Sequence, residues 1–274
     1  MPELPEVETV RRTLEQLVTG KIIRSVTVHW PKMVKHPDDI HLFDQLIKGQ
    51  EIQHVKRRGK FLLFYLTDYC MISHLRMEGK YGLYPKVEPV NKHTHVVFHF
   101  GDETELRYQD VRKFGTFHLY PKGEEFQQKP LVSLGPEPLE DTFTIEVLKE
   151  RLKKTNRNIK AALLDQSVIV GLGNIYVDEA LFRSGIHPAR LVSTLSEEDL
   201  RILHREIIAT LREAVDKGGS TVRSYVNSQG QIGMFQLELF VYSRAGEPCK
   251  KCGTMIEKSV VAGRGTHTCR NCQA

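Results

Sequence analysis

Tryptophan occurs once in this chain of 274 residues, cysteine five times, and nowhere does an apolar run grow long. A membrane span needs about 20 consecutive apolar residues, so none is expected. The first residues carry acids where a secretory signal has basic and then apolar ones, which predicts a cytoplasmic protein without membrane contact. An odd number of cysteines, with Cys249, Cys252, Cys269 and Cys272 crowded into the last stretch, does not make a disulfide framework. Cys70 stands apart in an apolar, strand-like segment and reads as a packing residue. Any excess of one charge is small too: 39 Lys and Arg face 34 Asp and Glu, a net of +5, which permits a polyanionic partner without requiring one. No internal repeat or low-complexity tract is visible, and the twelve histidines show no HExxH spacing. What remains is 40% hydrophobic and 27% charged, enough apolar material for a core and too much for wholesale disorder.

The apolar period changes along the chain. Leu4, Val7, Val10, Leu14 and Leu17 fall on one helical face, Pro5 suits a first turn and Gly20 stops the helix. From Ile22 to Tyr120 the pattern is that of strands: IIRSVTVHW, KFLLFYL, THVVFHF and GTFHLY are short, β-branched or aromatic, and separated by turn residues, which predicts an antiparallel sandwich or barrel. Between Pro121 and Asp141 the chain turns rich in Gly, Pro and charge, a natural boundary. Beyond it helices are expected over Thr144–Lys154, Ile159–Gln166 and Ile175–Arg183. A longer one carries the stripe Leu200, Leu203, Ile207, Ile208, Leu211 and Val215 between a Ser196 cap and Gly218-Gly219.

Two constellations carry chemistry. Cys-x2-Cys, sixteen residues, then Cys-x2-Cys is the spacing of one structural four-thiolate zinc, closed to water and hence non-catalytic. Its hairpin would bear Gly263-Arg264-Gly265-Thr266-His267, where an Arg between glycines has either close access to a phosphate or a place in a solvated turn. The N-terminus is less usual. Removal of Met1 before the small Pro2 leaves a secondary amine flanked by Glu3 and Glu6. An α-amino group of pKa about 8 is partly neutral at pH 7 and nucleophilic, and attack on a sugar C1′ yields a cationic iminium that acidifies the next carbon. The same letters also read as a plain helix start with acids against the dipole.

Basic residues come in blocks, Lys56, Arg57, Arg58 and Lys60, then Arg151, Lys153, Lys154, Arg157 and Lys160, the pattern of solvated faces. Lys60 is the exception, set between Gly59 and a buried-looking strand. Arg112-Lys113-Phe114-Gly115 places a stacking ring among cations, suited either to wedging into a nucleotide stack or to an incidental hairpin tip. Gly171-Leu172-Gly173-Asn174 lacks the third glycine of a dinucleotide site and reads as a tight turn between helices, with Asn174 at a helix start that either faces a phosphate or is simply capped. His74 and His93 draw notice through their closeness to Met77 and to THVVFHF.

Taken together, MPELPEVE, RRGKF, SHLRMEGKY, RYQDVRKFGT, GLGNIYVDEALF, GGSTVRSYVN and CKKCG…GRGTHTCRNC resemble the bacterial formamidopyrimidine-DNA glycosylases from end to end. The resemblance implies an α+β multidomain fold: an N-terminal catalytic β-sandwich with flanking helices over 1–133, a helix–two-turn–helix DNA-binding domain over 134–240 and a C-terminal zinc finger over 241–274. It implies base-excision repair of oxidised purines such as 8-oxoguanine and formamidopyrimidines in double-stranded DNA, with strand nicking, by a cytoplasmic monomer holding one structural Zn2+. Carried over residue by residue, Pro2 is the Schiff-base nucleophile, Glu3 the acid for sugar or leaving group, and Glu6 its supporting carboxylate. Lys60 contacts phosphate and assists β-elimination, and Arg264 clamps phosphate and serves δ-elimination. Met77, Arg112 and Phe114 fill the gap and probe the orphaned base. His74, His93 and Asn174 complete the DNA contacts, and Ser220, Thr221, Val222, Arg223, Ser224 and Tyr225 form the lesion-base loop. Which basic residue near Lys154 to Arg157 touches DNA stays open. Two rivals stand beside this reading, an endonuclease VIII-type enzyme for oxidised pyrimidines and a non-catalytic zinc-ribbon DNA-binding protein. Leu4, with the Met77, Arg112 and Phe114 set, favours the purine enzyme over the first, and the N-terminal Pro-Glu disfavours the second.

Overall fold

The structure, a computed structural model, describes residues 1–220 and 234–274. The chain divides into two compact units, one holding Met1–Val132 with Ser220, the other Ser133–Gly219 with Met234–Ala274.

In the first unit, α1 (Leu4–Val18) buries Leu4, Val7, Val10, Leu14 and Val18. Pro5 sits in its first turn, where its missing N–H removes no helical bond. Gly20, at φ +83°, turns the chain into the first sheet. That sheet has β1 (Ile23–Val28), β7 (Thr94–Phe100), β8 (Thr104–Gln109) and β6 (Lys80–Pro85) side by side, all antiparallel. The second sheet runs in the order β2 (Val34–His36), β9 (Thr116–Pro121), β5 (Tyr69–His74), β4 (Phe61–Leu66) and β3 (Ile52–Arg58).

One hydrophobic cluster draws on both sheets: Val96, Phe98, Leu106 and Tyr108 from the first, Val55, Leu62, Phe64, Met71, Phe117 and Leu119 from the second. Each such fully buried side chain contributes about 1.5–3 kcal/mol by leaving water. The result is a β-sandwich with flanking helices. Two features depart from the sequence reading. The β2–β9 pair is parallel. And α2 (Ile40–Ile47) is a helix inside the stretch read as strands, with Asp39 capping it by accepting from the His41 and Leu42 amides and with Phe43 and Ile47 buried. Cys70 is fully buried, and burial pushes its thiol pKa far up.

The second unit is helical. Its helices are α3 (Ile145–Leu152), capped by Thr144; α4 (Ile159–Leu164), capped by Asn158; α5 (Asn174–Arg183); and α6 (Glu197–Asp216). Ser196 and Asp199 form a reciprocal capping box on α6, and Gly218 and Gly219 end it at φ +73° and +79°. Helix α4 stops short of Gln166 because that side chain closes the next turn instead, donating to the Leu164 and Leu172 carbonyls and accepting from the Gly171 amide. Beyond α6, β10 (Glu257–Val261) and β11 (Arg264–Thr268) form a hairpin whose two turn residues, Ala262 and Gly263, both have positive φ. Phe182 of α5 packs with Val241, Ile256, Cys249 and Cys269, joining the cysteine-bearing segment to the helices. Among the described residues no helix is long and apolar enough to cross a membrane.

Candidate active site

At the start of α1 two acids are buried together. Glu3 and Glu6 are each 3% exposed, Pro2 is buried beside them, and Met1 projects outward. The Glu3 backbone N–H donates to Glu6 Oε2 at 2.8 Å, and the Glu3 carboxylate accepts the Glu6 amide in return, a capping box built from two acids. The other Glu6 oxygen, Oε1, accepts the Ser220 amide at 2.7 Å and its hydroxyl at 3.3 Å. A helix N-terminus, with its partial positive charge, is the place where two buried carboxylates cost least.

Arg57 of β3 ties this helix to the turn that precedes Lys60. Its guanidinium donates to Glu8 Oε2 of α1 at 3.1 Å and to the Gly59 carbonyl at 2.9 Å. Burial pulls the Glu8 pKa up, but Arg11 and Arg57 outweigh it and hold the carboxyl below its usual range. Gly59, at φ +55°, makes the turn that presents Lys60, itself only 5% exposed. Next along the sheet, Phe61 pairs with His74, their rings edge to face at 4.5 Å. His74 Nδ1 accepts the Arg76 amide at 2.9 Å, so its proton is on Nε2. Burial, then the charges of Arg76 and Lys60, push its pKa down to about 3. A neutral imidazole offering one N–H is a hydrogen-bond donor for a phosphate oxygen, not a cation.

Two exposed hydrophobic side chains stand on neighbouring loops. Met77 follows Arg76, which has φ +53°; Phe114 follows Lys113, which has φ +58°. Asp110, almost wholly buried, folds the second loop around its carboxylate: Oδ1 accepts the Arg112 amide, and Oδ2 accepts those of Phe114 and Gly115 at 2.8 and 2.9 Å. The Arg112 guanidinium lies 4.8 Å from the centre of the Phe114 ring. His93 joins the group through its carbonyl, which accepts the Asp110 amide at 2.9 Å.

In the second unit Asn174 opens α5 and donates from Nδ2 to the Gly265 carbonyl at 2.8 Å, directly beside Arg264 on the hairpin. Lys160 and Asp178, both fully buried, form an ion pair at 2.6 Å. Lys160 also donates to Thr266 Oγ1 at 2.8 Å, and Asp178 accepts the His267 amide at 3.0 Å, so the pair grips the strand that carries Arg264. Arg264 itself is exposed. Glu179, buried and pushed up in pKa by that burial, accepts the amides of Phe240, Val241 and Tyr242, each at 2.9 Å.

The four cysteine sulfurs of Cys249, Cys252, Cys269 and Cys272 lie within 4.8 Å of one another, with Cys249–Cys272 at 3.9 Å and Cys252–Cys269 at 3.5 Å. A zinc ion bonded to sulfur at about 2.3 Å implies S···S edges near 3.8 Å, so the donor set fits one tetrahedral zinc with no open position. Bound there, the metal supplies cross-linking, not catalysis.

The structure thus groups Pro2, Glu3, Glu6 and Ser220; Lys60 with His74; His93, Met77, Arg112 and Phe114; and Arg264 with Asn174. Thr221, Val222, Arg223, Ser224 and Tyr225 lie outside the described residues. The basic-block reading needs correction at two places: Lys160 is a fully buried clamp, and Arg57 is a half-buried one, its guanidinium turned onto Glu8 and not into solvent. Sequence reasoning alone does not reach Asp110, Asp178 and Glu179. Asp178 and Glu179 adjoin inside the motif GLGNIYVDEALF, where two acids on a mostly apolar helix are the signal that a buried partner awaits them.

Three family models match in succession: the formamidopyrimidine-DNA glycosylase N-terminal domain over residues 1–117, the H2TH domain of that glycosylase over 134–226, and the zinc finger found in FPG and IleRS over 246–274. The formamidopyrimidine-DNA glycosylase of Bacillus licheniformis is 64% identical over 273 residues, covering 100% of this chain and 99% of the relative. That of Shouchella clausii is 62% identical with the same coverage. Among solved structures, Lactococcus lactis Fpg bound to abasic-site DNA superposes with a TM-score of 0.92 at 43% identity, covering 99% of both chains. The complex of the same wild-type protein with DNA containing N7-benzyl-Fapy-dG gives the same values. On these matches, which run from one end to the other, the chain belongs to the formamidopyrimidine-DNA glycosylase family.

Proposed function

We propose that this chain removes oxidised purines, 8-oxoguanine and formamidopyrimidines, from double-stranded DNA and then cuts the strand, using the Pro2 nitrogen as nucleophile once Met1 is gone. The observation that carries the proposal is the buried pair Glu3 and Glu6 beside Pro2 at the start of α1. In this reading the Pro2 nitrogen attacks C1′, the glycosidic bond breaks, and Glu3 delivers the proton that opens the sugar ring or leaves with the base. The resulting iminium draws electrons from C2′, so loss of a C2′ proton expels the 3′ phosphate; loss of a C4′ proton then expels the 5′ phosphate. Glu6 orients Glu3 and Ser220. Lys60 and neutral His74 contact phosphate in the first unit, and Arg264 and Asn174 contact phosphate in the second. Met77, Arg112 and Phe114 occupy the hole left by the extruded nucleotide, which offsets an unstacking cost of a few kcal/mol.

The same proposal assigns residues 1–133 to catalysis, 134–240 to DNA binding and 241–274 to the zinc finger, in a monomer working in the bacterial cytoplasm. The test is cleavage of a duplex carrying 8-oxoguanine opposite cytosine, beside one carrying thymine glycol. The proposal expects the first to be cut faster and Glu3→Gln to abolish base release. Faster cutting of the second would place the chain with oxidised-pyrimidine enzymes, and binding without cutting of either would make it a non-catalytic binder.

A further inference from the structure

Met77 and Phe114 stand on separate loops, yet one buried residue touches the base of both. Tyr108 on β8 is fully buried, and its hydroxyl oxygen lies where a Cβ would project from Gly79, at the end of the Met77 loop, and from Gly115, at the end of the Phe114 loop. A side chain at either glycine would overlap that oxygen. The ring behind it is held edge to face by Tyr81 and by Phe117, each at 5.1 Å between centroids, one from each sheet. Tyr81 is fixed in turn by its bond to Ser73 at 2.7 Å. The hydroxyl is therefore a rigid post rooted in the core. Each loop also holds a non-glycine residue in the left-handed region, Arg76 and Lys113, next to its apolar tip. Such backbone persists only where the surroundings over-determine it.

We propose that Tyr108 is a positioning residue that sets the spacing between the Met77 loop and the Arg112–Phe114 loop, so that the three side chains enter the DNA stack as one unit. The proposal rests on the reading of those side chains as hole-filling residues given above. Tyr108 itself, being buried, meets no DNA.

Tyr108→Phe keeps the ring and removes the post. The test compares single-turnover release of 8-oxoguanine from duplex with strand cleavage at an abasic site in single-stranded DNA, where there is no stack to fill. Misplacement of a positioned group by about 1 Å costs a large rate factor, so duplex excision should slow about tenfold or more while single-strand cleavage stays within about twofold. Because Tyr108 acts through Phe114, Tyr108→Phe should slow the Phe114→Ala enzyme little further. Gly115→Ala, which forces loop and hydroxyl apart from the other side, should give the same pattern, and thermal denaturation should show both variants folded. Equal slowing on both substrates, a multiplicative effect with Phe114→Ala, or unchanged duplex excision in both variants overturns the proposal. A wild-type chain inactive on both substrates overturns the functional reading and the proposal with it.

Discussion

The Ser220 amide donates to Glu6 Oε1 at 2.7 Å, joining the first turn of the chain to a residue 214 positions later. Ser220 is the first residue of the stretch assigned to the lesion-base loop, and the other Glu6 oxygen receives the Glu3 amide. One carboxylate thus links the Glu3 backbone to Ser220, and in the function proposed above that joins the acid beside the nucleophile to the start of the loop that receives the base. Glu6→Gln presents an amide N–H to one of two backbone N–H groups and breaks that link. A hydrogen bond to a buried charge is worth about 1.5–3 kcal/mol, so base release should slow at least about tenfold in single-turnover assays. Cleavage at a preformed abasic site, which needs no base to be received, should be less affected. Unchanged base release would mean that the carboxylate is only a helix cap.

Burial of His74 makes the fold sensitive to acid. Its pKa is about 3 in the folded chain against an ordinary 6.5, so the unfolded chain takes the proton first. The stability that follows from keeping His74 neutral is therefore complete above pH 6.5 and lost progressively as pH falls toward 3. His118, pushed by burial to about 4, acts in the same direction. Between pH 6.5 and about 4.5 the His74 share amounts to roughly 2 kcal/mol, and His74→Gln should flatten the fall of Tm with pH by that share. A variant that loses stability with acid as steeply as the wild type would contradict the assignment.

Removing Lys160 leaves the fully buried Asp178 carboxylate without its counter-ion, held among the described residues only by His267. Lys160→Met should cost about 3–5 kcal/mol, and adding Asp178→Leu should recover part of it. Calorimetry of the two variants checks the order. Equal stability in Lys160→Met and wild type would mean that the pair contributes nothing.

The cysteine cluster should hold one zinc per chain, measurable by atomic emission. Chelation, or Cys249→Ser, should release it and cut affinity for duplex DNA at least about tenfold, since apparent folding energies of such sites are on the order of 10 kcal/mol or more. Unchanged DNA affinity after complete zinc loss would show that the hairpin holds its form without metal.

The architecture was legible where apolar period and caps agree. The α1 stripe, the β4, β7 and β9 strands, the Ser196 cap and the cysteine spacing all reappear in the structure. Helix α2 was hidden because its eight residues sit among strands and its Asp39 cap reads equally as a turn. The settings of Lys160 and Arg57 are not legible, because a basic letter looks alike on a solvated face and in a sequestered ion pair; only the partner, Asp178 or Glu8, tells them apart, and it lies 18 or 49 positions away. Nothing local to Gly79 and Gly115 shows that Tyr108 fills the space beside both.

The central claim is that the Pro2 nitrogen is the nucleophile. The most direct measurement is borohydride trapping on a duplex bearing 8-oxoguanine opposite cytosine, with the adduct mapped by mass spectrometry, using protein shown to lack Met1 and the same protein acetylated at its N-terminus. The account predicts a covalent adduct on Pro2 in the first and none in the second, with duplex binding retained in both. An adduct on another residue, or undiminished trapping and cleavage by the acetylated protein, would contradict it.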